Sequence, residues 1–225
     1  MIKSFCNHKH NTRNQLYQVN EDFFENIDTE EKAYILGFWA ADGWMNDRAL
    51  YIAISVKDLS HLKKIKNTIP TEAPIIIKEK KAKFKRSKLA FLSLTRKKMR
   101  QDVAALGFLQ QKGKYMIFPN IPKELYRHYI RGLWDGDGFV GAKQFSIVGQ
   151  RISFFKTLQK IILDETNCLL TFRLMRKKFP VLCGGRHDIN AINWLYRDNK
   201  IALDRKYQRF LKYWDKNSNS TYTKI

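Results

Sequence analysis

The feature of this sequence that most constrains its fold is a nonapeptide that occurs twice. The first copy spans residues 35–43 (ILGFWAADG) and the second spans residues 130–138 (IRGLWDGDG). Aligned without gaps, the two copies agree at the first, third, fifth, eighth and ninth positions. An internal repeat predicts two copies of one structural unit, so we expect a duplicated fold.

Each copy predicts a helix that can approach another helix closely. Small residues fall four apart in both copies, Gly37 with Ala41 and Gly132 with Gly136. Residues at this spacing lie on one helical face. Two such faces can pack backbone against backbone, and that packing brings the two helix ends together.

Asp42 and Asp137 are the residues from which we predict a metal ion. Each precedes a glycine that ends its helix, where the helix already carries partial negative charge. Two carboxylates placed there repel each other unless a cation joins them. The alternative is two buried helices that end in ordinary Asp-Gly turns, which explains either copy alone better than it explains the pair.

The two nonapeptides resemble the paired motifs of the LAGLIDADG homing endonucleases, in the single-chain form that carries two copies. The resemblance covers residues from about 28 to 214. At the sixth motif position Ala40 departs from the usual aspartate, whereas Asp135 keeps it. The eighth position, which supplies the metal-binding acid in the family, is intact as Asp42 and Asp137. The resemblance implies a double-strand DNA endonuclease that hydrolyses one phosphodiester per strand and leaves short 3′ overhangs.

The predicted elements recur in the same order after each motif. Each half reads as helix, strands, helix, basic hairpin and helix, so we predict an α+β fold of two pseudo-twofold-related αββαββα units. The resemblance implies that the motif helices pack at the centre and that saddle-shaped antiparallel sheets face DNA. We expect a basic N-terminal arm at 1–28, a first half at 29–118, a linker at 119–122 and a second half at 123–225.

The charge balance indicates a polyanionic partner. The chain carries 42 Lys and Arg against 21 Asp and Glu, a net charge of +21 over 225 residues. Such an excess is typical of nucleic-acid-binding proteins. The sequence contains no long apolar span, so we predict no membrane partner. Three cysteines make no disulfide framework and no signal peptide is evident, so we expect an intracellular protein in the compartment that holds its DNA.

Two predicted hairpins carry the basic side chains that we expect to contact double-stranded DNA. A two-stranded ribbon fits the major groove, and Lys and Arg on it bind phosphates. These residues are Lys78, Lys80, Lys83, Lys85, Arg86 and Lys88 in the first hairpin, and Arg173, Arg176, Lys177 and Lys178 in the second. The alternative is a pair of solvated surface loops, which charge runs more often are.

The resemblance also implies a set of residues for the chemistry. The expected metal ligands are the Asp42 and Asp137 carboxylates and the backbone carbonyls of Ala41 and Gly136. Mg²⁺ suits this set because it keeps waters and takes one or two carboxylates plus phosphate oxygens. Mn²⁺ or Ca²⁺ can substitute for binding.

The family places a basic or amide residue at the end of the strand after each motif. Aligning the helices that follow pairs Lys57 with Gln150, and the alternative is that both are ordinary strand-end residues. A third expected position lies near the end of each hairpin. It points to Arg96 or Lys97 in the first half and to Arg186 or His187 in the second.

Other readings of the chain stay open. A splicing maturase would use the same basic surface to bind intron RNA, and a non-cleaving DNA-binding protein would keep the fold and lose an acid. We expect an intron-encoded or free-standing enzyme that is a monomer with an internal pseudo-dimer. Cys6, His8 and His10 have a spacing that could serve zinc, but no second ligand pair lies nearby, so a basic arm is predicted there.

Overall fold

The computed structural model describes residues 17–82, 85–108 and 115–218, and it contains the predicted order of elements twice. The first unit consists of α1 (Glu30–Asp42), β1 (Gly43–Met45), β2 (Leu50–Ser55), α2 (Leu59–Thr68), β3 (Ile76–Ala82), β4 (Lys85–Leu94) and α3 (Lys97–Ala105). The second consists of α4 (Tyr126–Asp137), β5 (Gly138–Val140), β6 (Phe145–Val148), α5 (Ile152–Thr166), β7 (Thr171–Met175), β8 (Phe179–Gly184) and α6 (Ile189–Tyr196), and α7 (Asp204–Ser218) follows it. The predicted α+β fold and its duplicated αββαββα order are confirmed.

The two units form equivalent antiparallel sheets of four strands. Their strand orders are β1-β2-β4-β3 and β5-β6-β8-β7. Gly43 pairs with Ile52 in the first sheet and Gly138 pairs with Ile147 in the second. The strand that leaves each motif helix therefore pairs with the first part of the next strand, and its first residue lies beside the middle of that strand. One face of each sheet packs on the helices, and the opposite face is called the open face below.

The helices α1 and α4 pack through their motif glycines. A Cβ atom added to Gly37 would lie 1.9 Å from the carbonyl oxygen of Tyr129, and one added to Gly132 would lie 2.0 Å from that of Tyr34. Any side chain at either position would overlap the backbone of the other helix. The two contacts are related by the pseudo-twofold axis, and they confirm the predicted approach of the two helix backbones.

Asp135, the acid at the sixth position of the second motif, holds several elements together. Its carboxylate is fully buried and accepts hydrogen bonds from the Tyr34 hydroxyl at 2.7 Å and the Tyr196 hydroxyl at 2.6 Å. It also accepts one from the backbone N–H of Leu203 at 2.7 Å. These donors come from α1, from α6 and from the chain before α7. The carboxylate therefore points into the core and has a structural role.

The first turn of α7 docks against the first unit. Arg205 Nε lies 2.9 Å from Asp58 Oδ1, and Lys64 Nζ lies 2.6 Å from Asp204 Oδ1. Both ion pairs are partly exposed, so each contributes at most about 1 kcal/mol. Their main effect is to position the start of α7, which lies near the end of α4.

Residues 17–28, the described part of the predicted arm at 1–28, pack on the first unit. Phe23 and Phe24 are buried in the core, and Val19 forms an antiparallel bridge with Thr71. Burying two adjacent phenyl rings is favourable, whereas a solvated arm would leave both rings in water. Cys6, His8 and His10 lie outside the described residues. In the described part of the chain, no helix has both the length and the apolar character needed to cross a membrane.

Candidate metal centre

Asp42 and Asp137 stand at the same end of the paired motif helices. They are the last residues of α1 and α4. A Cβ atom on Gly136 would lie 3.5 Å from Asp42 Oδ2, so the Asp42 carboxylate reaches the end of α4. The same atom would lie 2.2 Å from the Cβ of Ala41. Gly136 therefore permits the close approach of the two helix ends that carry the acids.

The glycine after each acid accommodates the motif tryptophan. The backbone N–H of Gly43 donates to the carbonyl of Trp39, and that of Gly138 donates to the carbonyl of Trp134. A Cβ atom on either glycine would lie 2.3 Å from the tryptophan Cδ1. A side chain at the ninth motif position would overlap the tryptophan at the fifth. This contact helps to fix the point at which each helix ends, directly after its acid.

A cavity of about 460 Å³ opens beside the acids. Ala41 lines it from α1, Asp137 from the end of α4, and Gln150 and Arg151 from the chain after β6. The structure therefore brings together three of the sequence-predicted site residues, Ala41, Asp137 and Gln150. The Arg151 guanidinium donates a hydrogen bond to the carbonyl oxygen of Tyr115 at 2.6 Å.

Lys57 lies at the end of β2 that is nearer to Asp42. Gly43 pairs with Ile52 in antiparallel register, so Asp42 lies beside the second half of β2. Lys57 follows that half of the strand. Lys57 is in a short 3-10 turn, where its backbone N–H donates to Ser55 Oγ at 3.3 Å. Its side chain is exposed. Lys57 and Gln150 are thus placed after equivalent strands, as predicted.

Arg96 and Lys97 lie at the opposite end of the first sheet. Leu94 pairs with Leu50, so the chain leaves β4 beside the start of β2, away from the Asp42 end. The Arg96 guanidinium donates to the carbonyl of Tyr17. The structure does not bring these two side chains to the acids.

Arg186 and His187 have the corresponding position in the second unit. Gly184 pairs with Phe145 at the start of β6, whereas Asp137 lies nearer the end of that strand. Arg186 and His187 begin the 3-10 turn that follows β8. They too lie away from the acids, because strand register rather than sequence spacing decides which hairpin end faces the centre.

Lys206, on α7, is the site residue that sequence reasoning missed. Its side chain is 2% exposed, and its ammonium donates to the carbonyls of Trp134 at 2.9 Å, Asp135 at 2.6 Å and Gly136 at 3.2 Å. Burial lowers the pKa of Lys206 to about 8, opposed by the nearby carboxylates of Asp135, Asp42 and Asp137. A buried cation thus satisfies the last carbonyls of α4. One signal was available: Lys206 lies on the same face of α7 as the buried Phe210 and Tyr213.

The donor set fits a hard divalent cation. Asp42 and Asp137 supply carboxylate oxygens, and Ala41 and Gly136 supply carbonyl oxygens at the same helix ends. The Gly136 oxygen already accepts from Lys206, but a carbonyl has a second lone pair. Among the described residues there is no cluster of three or more His, Cys, Asp or Glu. Two carboxylates plus waters and phosphate oxygens is the ligand set that Mg²⁺ prefers.

The basic hairpins are described in part. Lys78 is exposed, with its ammonium 5.4 Å from the centre of the Phe91 ring, and Lys88 lies 3.6 Å from Glu79. The side chains of Lys80, Lys83, Lys85 and Arg86 lie outside the described part of the chain. The four basic residues of the second hairpin are exposed: Arg173, Arg176, Lys177 and Lys178. Arg176 and Lys177 form its turn with φ of 51° and 56°.

Two glycine-packed helices that each end in an acid and lead into a four-stranded antiparallel sheet define the single-chain, two-motif LAGLIDADG fold. Solved structures with the same fold agree. One is the homing endonuclease I-WcaI bound to its DNA recognition sequence, with a TM-score of 0.64, 13% identity, and coverage of 84% of this chain and 91% of that chain. Another is I-DmoI in complex with DNA and Ca, with a TM-score of 0.54, 14% identity, and coverage of 80% and 95%.

The fold also occurs in full-length DUF199/WhiA from Thermatoga maritima. That structure has a TM-score of 0.55 and 14% identity, and the match covers 91% of this chain but 66% of the WhiA chain. No protein-family model and no curated protein matches the sequence. The resemblance inferred from the two nonapeptides is therefore confirmed at the level of the fold.

Proposed function

We propose that this protein is a site-specific endonuclease that cuts both strands of a DNA duplex. The observation that carries the proposal is the meeting of Asp42 and Asp137 at the paired ends of α1 and α4, between two equivalent sheets. The pseudo-twofold axis relates these acids as it relates the two strands of a duplex. One acid then serves each scissile phosphate, and a monomer makes a double-strand break with short 3′ overhangs.

The proposed partner is double-stranded DNA. A net charge of +21 favours a polyanion, and each sheet ends in a hairpin with exposed basic side chains. Two solved structures with this fold, those of I-WcaI and I-DmoI, are DNA complexes. In this arrangement the hairpin cations hold phosphates while the open faces of the sheets meet the bases.

The proposed cofactor is Mg²⁺, held by the two carboxylates and by the carbonyls of Ala41 and Gly136. I-DmoI structures with DNA include one with Ca and one with Mn. When bound, the cation supplies charge neutralisation at the scissile phosphate and a more acidic water. Gln150 and Lys57 orient that water or the phosphate oxygens from the strand ends. Lys206 fixes the last turn of α4, and with it the direction of Asp137.

In this proposal Lys206 takes the third position, to which the family resemblance had assigned Arg96 or Lys97. Its ammonium reaches the end of α4, whereas the strand register holds Arg96 and Lys97 at the far end of the first sheet. A cation fixed this close to the two acids also offsets their mutual repulsion before metal binds.

The first experiment is cleavage of a randomised duplex library in Mg²⁺ by wild type and by the Asp42→Asn and Asp137→Asn variants. We expect wild type to cut both strands at one preferred sequence and each substitution to abolish double-strand breaks. Asp215→Asn is the matched control, because Asp215 is an exposed aspartate on α7. Undiminished double-strand cleavage by Asp42→Asn would contradict the proposal.

A second candidate is binding without cleavage, either of DNA or of intron RNA as a maturase. The observation that favours it is the Lys206 ammonium, a resident cation at one of the two helix ends where the metal is proposed. This candidate predicts that wild type binds duplex in Mg²⁺ and leaves it intact. Tighter binding to structured RNA than to duplex would identify the maturase.

A further inference from the structure

We propose that Trp44 and Phe139 select thymine at the base pairs next to the cutting positions, through apolar contact with the thymine 5-methyl group. This inference rests on the proposed function. It assigns a chemical preference to the open faces of the sheets, whereas the proposed function assigns them only a DNA partner.

The two aromatic residues have equivalent places in the duplicated fold. Trp44 follows Asp42 by two residues and Phe139 follows Asp137 by two residues. At about 3.3 Å per residue, each ring begins roughly 7 Å along the strand from its acid. A side chain this close to the acid would meet the base pairs nearest the scissile phosphate.

Both rings lie on open faces. Trp44 pairs with Tyr51, which alternates along β2 with the buried Leu50 and Ile52. Directly opposed residues of an antiparallel pair point to the same face, so Trp44 points away from the helices. Phe139 pairs with Ser146 in the same way, and on its edge strand it also lines a cavity with Arg209 and Lys212 of α7. The rings remain 40% and 46% exposed, which is a large apolar exposure for a surface with no partner.

The first sheet carries an aromatic patch, which we define as Trp44, Tyr51, Phe91 and Ile76. The Trp44 and Tyr51 rings are stacked with centres 4.9 Å apart and planes 9° apart, and the Phe91 ring meets Trp44 edge-on at 6.1 Å. Ile76 pairs with Phe91 in the sheet and is 48% exposed. Because the rings hold each other, the patch loses little conformational entropy when it binds.

The open face of the second sheet differs from that of the first, and it carries the exposed Val148 and Met175 besides Phe139. Ser146 stands where the first sheet has Tyr51, so Phe139 has no stacked ring across the strand pair. Phe139 is therefore held less firmly by its neighbours than Trp44 is.

Charge decides between the possible occupants of these faces. A second copy of this chain would bring its own charge of +21 to the interface, which disfavours self-association. The Lys78 ammonium, 5.4 Å from the Phe91 ring centre, places a cation beside the patch. An apolar surface with a cationic edge suits a duplex, whose phosphates are anionic and whose major groove has one apolar feature, the thymine methyl group.

The test uses the preferred duplex recovered from a randomised library, with each thymine replaced in turn by uracil. Uracil lacks the methyl group and keeps every hydrogen-bonding group of thymine. Affinity is measured in Ca²⁺ for wild type, Trp44→Ala and Phe139→Ala, with thermal unfolding to verify that each variant is folded. We expect wild type to bind about fourfold more weakly for each contacted methyl group removed near the cutting positions.

Trp44→Ala should bind the thymine and uracil duplexes equally on the side of the first half and keep the wild-type discrimination on the other side. Phe139→Ala should show the reverse. Equal binding of thymine and uracil duplexes by wild type at every position would overturn this inference and leave the proposed function standing. Discrimination between thymine and uracil that survives in Trp44→Ala on the side of the first half would overturn it too. Wild type that binds no duplex would overturn both.

Discussion

Asp135 and Asp137 stand two residues apart in the second motif and have different environments. Two residues separate side chains by about 200° around a helix, so one faces the core and the other faces away. Asp135 is fully buried and accepts three hydrogen bonds, whereas Asp137 is exposed at the helix end. Burial raises the pKa of Asp135 in spite of its donors from Tyr196, Tyr34 and Leu203. One carboxylate of the motif thus stabilises the fold, and the other is exposed and is the proposed metal ligand.

Asp135→Ala should lower the free energy of unfolding by about 3 kcal/mol or more, because it leaves buried donors of Tyr34, Tyr196 and Leu203 without their acceptor. Urea unfolding measures this loss. Asp137→Ala is the matched control, and we expect it to abolish cleavage while changing stability by less than about 1 kcal/mol. Equal stability losses in the two variants would contradict the division of roles.

His61 makes the fold sensitive to acid. Its ring is buried beside Tyr34, with Nε2 3.0 Å from the Tyr34 hydroxyl oxygen. Burial, and to a smaller extent the Lys64 ammonium, lower the pKa of His61 to about 4, against the opposing carboxylates of Asp204 and Asp58. The folded protein therefore keeps this ring neutral at a pH where an unfolded histidine is protonated.

The free energy of unfolding should fall as the pH falls from about 6.5 to about 4. In this window the unfolded chain binds a proton at His61 that the folded chain does not, so acid favours unfolding. The full effect is about 3 kcal/mol. His128 acts in the same direction, because burial lowers its pKa to about 4. Urea unfolding at several pH values measures the slope, and His61→Phe should make it shallower. A slope that His61→Phe leaves unchanged would contradict this assignment.

At the scale of elements, the contact between α1 and α4 depends on glycine where helix propensity favours alanine. Alanine would stabilise an isolated helix by about 1 kcal/mol at each such position. The paired helices reverse this preference, because an added Cβ meets backbone or another Cβ at about 2 Å. The packing is tightest where each glycine faces a carbonyl oxygen of the other helix.

Gly136→Ala should reduce cleavage far more than it reduces stability. The added Cβ would meet the Cβ of Ala41 at the helix ends, so the ends separate and the two acids move apart. Gly37→Ala, whose Cβ would meet the Tyr129 backbone in the middle of the pair, should instead cost about 1–3 kcal/mol of stability or more. Cleavage rates and thermal unfolding of the two variants test the difference. Wild-type cleavage by Gly136→Ala would contradict the proposed placement of the acids.

At the scale of the whole molecule, charge and topology act together. Positive charge spread over the chain favours any polyanion, and each of the two sheets ends in one basic hairpin. The affinity for DNA should therefore fall steeply and linearly with the logarithm of salt concentration. This dependence separates phosphate contacts from the apolar contacts proposed for Trp44 and Phe139.

Arg173→Ala should reduce the slope of log K against log salt by about one unit and weaken binding to all duplexes alike. Arg173 pairs with Val181, which pairs with Val148, so it lies on the open face of the second sheet. Lys160→Ala is the control, since Lys160 lies on α5 beside Asp164. An unchanged slope in Arg173→Ala would mean that this arginine contacts no phosphate.

Sequence alone determined the local features of this protein. The repeat predicted the duplication, the spacing of small residues predicted the helix contact at Gly37 and Gly132, and the alternation of apolar residues predicted the strands. These features depend on residues that are close along the chain, where helical and strand periodicity are set. The element order therefore followed from pattern, whereas the arrangement of the two sheets around the motif helices was implied by the family resemblance.

Only the tertiary structure decided which distant groups meet. Lys206 bonds to carbonyls of α4, and Asp135 accepts from α1 and α6, because docking of α7 against both units brings them together. Strand register placed Arg96 at the end of the first sheet away from Asp42, although the family resemblance had suggested a site residue there. Such contacts join residues far apart in the chain, so they are set by how whole elements pack, and no local pattern records them.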